Sequence, residues 1–161
     1  MYTDKNLKVS TDQAITTGDI KSTDVIDLSI ARDIGEGEDL YAYVNVTETF
    51  QGGTSMTVQV VVASDSALSS NVQRINQSDA VPLAALVAPT GQKQGYVYAL
   101  KIDPVIAGIT ATTASQGNLG ARYLGLIYSV AGTFTAGKVS AEFVLGIQDG
   151  RKAYSSGFTV V

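Results

Sequence analysis

Residues whose types and spacing suggest chemistry gather at one place in this chain. Gly132-Thr-Phe-Thr-Ala-Gly137-Lys138 has the spacing of a phosphate-binding loop, G-x-x-x-x-G-K-[ST]. That chemistry needs a loop that opens a helix, whose free N–H groups cradle phosphate, and a hydroxyl after the lysine to hold magnesium. Val139 stands where the hydroxyl must be. The residues beyond it alternate with a period of two, so a strand stands where the helix must be. The nucleotide reading fails. Gly132 and Gly137 are read instead as the shoulders of a hairpin loop.

The other candidates are weaker. Glu36, Glu38 and Asp39 sit beside Gly35 and Gly37, and oxygen ligands on a turn suit a hard cation such as calcium. Their spacing fits no EF-hand, so a solvated acidic turn is expected. Fifteen acidic residues guarantee some carboxylate pairs by chance, which empties the case for a glycosidase pair. Tyr41 and Tyr43, and likewise Tyr96 and Tyr98, share strand faces. They suit stacking on sugars, or packing against a neighbouring subunit or a second sheet. Asn45-Val46-Thr47 and Asn76-Gln77-Ser78 are glycosylation sequons that mean little without a secretory signal.

The chain has no cysteine and no histidine. This removes disulfides, thiolate nucleophiles, the commonest general base and the commonest transition-metal ligands. No catalytic, cofactor-binding or metal-ligating residue is assigned, and no enzymatic activity is expected. Net charge is −4, and the densest basic spots are Lys5 with Lys8 and Arg151 with Lys152. Neither pair lines up along phosphates, so nucleic acid is not an expected partner. No apolar run follows Met1 and none approaches the ~18 residues of a membrane span. Neither a signal peptide nor a membrane contact is expected, which points to synthesis in a cytoplasm.

The elements that must position these residues are strands. Arg122–Val130 and Lys138–Ile147 are read as the two arms of a hairpin, with Leu124, Leu126, Tyr128 and Val130, then Val139, Ala141, Phe143, Leu145 and Ile147, on apolar faces. Leu40–Glu48 alternates clearly, with Ala42, Val44 and Val46 opposite Tyr41, Tyr43 and Asn45. Ser55–Ser64 is rich in β-branched residues and reads as a more fully buried strand. Val72–Ser78, Gly95–Asp103 and Phe158–Val161 add shorter candidates. Residues 1–23 read as a partly ordered N-terminal arm with one or two short strands. Residues 24–161 read as a single β-sandwich domain. Turn signals recur every ~8–15 residues, as in a sandwich or barrel. The expected fold is all-β, a jelly-roll-like two-sheet β-sandwich of about eight strands with little or no helix.

Charged residues make up only 16% of the chain, so Ser, Thr, Asn, Gln and Gly must cover the surface. Such a surface suits a protein pressed against other proteins. Two segments carry a resemblance. Val25-Ile26-Asp27-Leu28, then Ala31-Arg32-Asp33-Ile34-Gly35 with Gly37 and Leu40-Tyr41, resemble the bacteriophage capsid cement proteins of certain short-tailed phages. Arg122-Tyr123-Leu124 and Phe134-Thr135-Ala136-Gly137-Lys138 resemble the C-terminal half of the same family. The resemblance implies a jelly-roll homotrimer on the outside of the virion, clamping neighbouring major capsid protein subunits, with no cofactor. The alternative from the residues themselves is a sugar-binding β-sandwich of a tail fibre or adhesin, motivated by Tyr41, Tyr43, Tyr96 and Tyr98.

Overall fold

The computed structural model describes residues 5–28, 40–90, 95, 97–102 and 122–145. Their regular structure is nine strands and two 3-10 turns, Lys5–Leu7 and Leu83–Ala85. The protein is all-β, a two-sheet sandwich closed almost into a barrel, with every strand pair antiparallel.

One strand, β9, organises the whole. It runs unbroken from Tyr123 to Leu145, 23 residues. Along one side lie β1 (Lys8–Ala14), β2 (Thr17–Lys21) and β3 (Ile26–Asp27), in register from Lys8 opposite Glu142 to Asp27 opposite Tyr123. Along the other side lie β4 (Leu40–Gly52) and β5 (Ser55–Ala63), from Leu40 opposite Leu145 to Ala63 opposite Tyr123. β8 (Val97–Ile102) extends the sheet beyond β4, β6 (Gln73–Gln77) extends it beyond β5, and β7 (Val81–Pro82) pairs with the start of β5. The first sheet is therefore β1-β9-β4-β8 and the second is β2/β3-β9-β5-β6. Three antiparallel runs bend together to pass from one sheet to the other, which is how the corners of such sandwiches are made.

The expected hairpin is corrected by this strand. Residues 131–137 do not reverse the chain. Each half of β9 finds separate partners, β1 and β4 for the C-terminal half and β2 and β5 for the N-terminal half. The apolar pattern explains the misreading. Leu124, Leu126, Tyr128 and Phe134 point inward at even numbers, whereas Val139, Ala141 and Phe143 point inward at odd numbers. Register shifts between Val46 and Gly52 on β4, opposite Phe134–Val139, absorb the change of phase. A bulge flips which residues face the core, and in sequence this looks the same as a turn.

The alternation expected for β4 is present: Ala42, Val44 and Val46 are buried while Tyr41, Tyr43 and Asn45 are half-buried. β5 is buried on both faces from Val60 to Ala63. Residues 8–21, read as an arm with one or two short strands, supply β1 and β2, and Val9 and Ile15 from this part of the chain are fully buried. Val44 and Val46 of β4, Val58, Val60 and Val62 of β5, and Leu126, Tyr128 and Phe143 of β9 share one core. Burying each such side chain contributes about 1.5–3 kcal/mol.

The open edges are stitched by polar bonds. The Asn76 side-chain amide on β6 donates to the Lys101 carbonyl on β8 at 2.6 Å. On the opposite seam the Asp24 N–H donates to the Val9 carbonyl at 2.9 Å, and the Gln13 amide donates to the Lys21 carbonyl at 2.6 Å. Gln13 also accepts from the Ser10 hydroxyl at 2.7 Å, and Ser10 in turn meets the buried Tyr128 hydroxyl at 2.8 Å. This chain of bonds satisfies a phenol inside the core, as burial demands. The acidic turn Glu36, Glu38 and Asp39, Tyr96, the stretch after Pro104, Ile147, Arg151-Lys152 and Phe158–Val161 lie outside the described residues.

Candidate functional site

The segment with phosphate-loop spacing lies in the middle of β9, at the bend. Its backbone is spent on neighbours: the Phe134 N–H donates to the Thr16 carbonyl at 2.7 Å, and Gly137 accepts from the Ile15 N–H at 3.2 Å. Lys138 pairs with Glu48, its register partner on β4, with Nζ 2.6 Å from Oε2. The hydrogen bond to Glu48 raises the Lys138 pKa, and both side chains are about half exposed. No helix begins here, so the arrangement has the parts of a strand crossing and none of those of a nucleotide cradle.

Inside the bend, Phe50 and Phe134 meet edge to face, with ring centroids 4.8 Å apart and planes at 72°. Such a pair adds about 0.5–1.5 kcal/mol to the area it buries. The two rings lie on glycines. A Cβ on Gly53 would sit 2.6 Å from the Phe134 ring, and one on Gly137 would overlap the Phe50 ring. Both glycines also hold positive φ, +63° and +137°. The glycines are required by close approach and by backbone conformation together.

The outer faces of the two sheets differ. On the first sheet, β4 presents Tyr41, Tyr43, Asn45 and Thr47, with Glu142 opposite Tyr43 and Ser140 opposite Asn45 on β9. Burial pushes the Glu142 carboxyl up from its ordinary pKa, while Lys8 across from it pulls the other way. The Asn45 side-chain carbonyl and the Thr47 hydroxyl are buried without a hydrogen-bond partner among the described residues. A polar group left so costs roughly 1–3 kcal/mol until something supplies the bond. Tyr41 and Tyr43 are brought together as expected, both half-buried. Tyr98 packs against the core.

The second sheet covers its own outer face. Val61, Ala63 and Ile127 pack under Leu68, which the loop after β5 folds back at φ +49°. Asp65 pins that loop. Its carboxylate accepts from the Ser69 hydroxyl at 2.6 Å and from the Ser69 and Ser70 N–H groups at 2.9 and 2.7 Å. These bonds, the Ser69 hydroxyl foremost, lower its pKa to about 2. Nearby, Arg122 grips Asp27 with two bonds of 2.9 and 2.8 Å and lies over the Tyr123 ring.

Both sequons are woven into the sheets. Asn76 bridges to β8, and the buried Ser78 hydroxyl accepts the Val58 N–H at 2.9 Å and donates to the Asp79 carbonyl at 2.7 Å. Among the described residues no helix is long and apolar enough to cross a membrane. The elements that the residue-by-residue reading missed are the Phe50–Phe134 pair and its glycines. Their signal was the change of apolar phase between Phe134 and Val139.

Two comparisons with known proteins bear on identity. No curated protein matches the chain significantly. The family model Bbp16 matches residues 9–143, from β1 to the last turns of alternation in β9, which takes in both sheets and the bend. The chain belongs to the Bbp16 family, a phage-related family.

Proposed function

We propose that this chain is a structural protein of a phage virion, without catalytic activity or cofactor. It binds the outside of the capsid as a homotrimer and cements neighbouring major capsid protein subunits. The observation that carries this reading is family membership across 135 of the 161 residues, from 9 to 143.

Physical features support it. Cementing needs many shallow contacts whose energies add over several subunits, so that avidity replaces single-site affinity. A scaffold of three long antiparallel runs, bent together and locked by aromatic packing, presents such contacts with little ordering cost on binding. Among the described residues only Val72 and Val87 are exposed large apolar side chains, so contact through polar and small side chains fits better than a greasy plug.

The test is rebinding. Purified protein added to heads stripped of it saturates a fixed number of sites and raises the temperature at which the heads release DNA. Heads that bind none of it, or bind it without gaining resistance, refute the proposal.

A further inference from the structure

The bend gathers four stretches without a single charged residue: 13–18, 49–57, 80–90 and 130–137. Backbone bonds hold them side by side. The Thr54 N–H donates to Ala131 at 2.8 Å, Leu83 to Thr54 at 2.9 Å, Phe134 to Thr16 at 2.7 Å and Phe50 to Leu86 at 3.0 Å. Their solvent-facing residues include Thr17, Gln51, Thr54, Pro82, Val87 and Thr133. Val87, 39% exposed, is one of the two exposed large apolar side chains among the described residues. Charges begin at the borders, where Asp19, Asp79 and the Glu48–Lys138 pair follow or precede these stretches in the chain.

Four stretches without charge among the described residues at one end of a chain of net charge −4 have a physical consequence. Copies of an acidic protein repel one another, and a charge taken out of water at a contact costs more than it returns unless it is paired. Interface centres are depleted in charge for this reason. Rotational symmetry adds a further constraint. A residue close to the axis meets its own copies, so any charge there would face itself. An uncharged surface of threonine, glycine, proline and small apolar groups avoids that clash. A partner recognised by opposite charge would find nothing to hold on these four stretches.

We propose that copies of this chain meet each other through the bend end, around Thr54, Val87 and Thr133. This inference rests on the homo-oligomer in the reading above and names the surface that forms it. The surface away from the bend is then left for other contacts.

Light scattering behind size exclusion tests it with four proteins. Thr54→Glu with Val87→Glu places like charges at the contact and weakens association by about 100-fold or more, as juxtaposed like charges do at interfaces. Ser66→Glu with Ala67→Glu adds the same charge on the exposed far-end loop and leaves the mass unchanged. The matching variant Thr54→Lys with Val87→Lys is also dissociated alone, and mixing it with the Glu variant restores an oligomer. That rescue cannot come from unfolded chains. A monomeric wild-type protein at micromolar concentration would overturn the oligomer itself, and this inference with it. A wild-type oligomer that the bend variants leave intact would overturn the inference alone.

Discussion

The two ends of the second sheet are closed by different physics. At the bend, three runs of chain continue from one sheet into the other, and the corner is filled by Phe50 and Phe134 lying on Gly53 and Gly137. The four stretches that form the corner carry no charge, and the Glu48–Lys138 pair lies at their border. At the far end the chain leaves β5 in a loop, and side chains tie the neighbouring segments down. Arg122 grips Asp27, and Asp65 gathers Ser69 and Ser70. Continuity of backbone frees a surface from structural charges, while loop closure requires polar side chains. Self-association, as proposed above, would have reason to use the end of the first kind.

This contrast can be broken at the bend first. Phe134 is 2% exposed, and Phe134→Ala removes a ring from a packed corner, so a loss of about 3–5 kcal/mol is expected in denaturant unfolding. Gly137→Ala drives a methyl into the Phe50 ring and forces a side chain onto positive φ, with an expected loss of about 2–4 kcal/mol. If either variant unfolds with the wild-type midpoint, the bend is not the packed hinge described.

Tyr128→Phe sharpens the comparison between apolar and polar closure. It keeps the ring in the core and removes only the hydroxyl that meets Ser10, so a loss of about 1 kcal/mol is expected. A loss as large as that of Phe134→Ala would show that the seam network, and not the bend, dominates.

The smallest effect belongs to the far end and appears with pH. The folded-state pKa of Asp65, about 2, lies below its ordinary value of 3.8. Its contribution is therefore complete above that ordinary value and is lost as pH falls through 3.8 toward 2. Asp65→Asn should lower the melting temperature slightly at pH 7 and make it less sensitive to acid over that window. Equal acid sensitivity in wild type and variant would remove Asp65 from the account.

Much of the fold was legible in the residues. Alternation in Leu40–Glu48 marked β4 and its inward face, and the valines of Ser55–Ser64 marked a strand buried on both sides. β9 was not legible as one strand. A bulge between Phe134 and Val139 shifts the apolar phase by one, and a glycine at each side of such a shift is also what a hairpin loop shows. Only pairing with distant segments, Thr17 opposite Thr133 and Gly52 opposite Phe134, separates a bend from a reversal. Leu68 was hidden for a related reason, since a single leucine in a Ser-rich loop has no periodic neighbours to mark it as buried. The false phosphate loop was legible, because Val139 and the strand period beyond it contradict the motif from within the sequence. The uncharged stretches were visible too, but four separate runs become one surface only once the strands bring them together.

The most direct test of the central claim uses the absence of cysteine from the natural chain. Thr54→Cys and Ser66→Cys each provide one thiol, at the bend and at the far-end loop. Purified phage particles carrying either variant are exposed to a maleimide probe beside the same protein free at nanomolar concentration. The account predicts that the protein is in the particle, that Thr54→Cys labels far more slowly there than in the dilute free chain, and that Ser66→Cys labels at the faster rate of the two. Absence of the protein from particles, or a bend thiol that labels as fast in the particle as in the free chain, would contradict it.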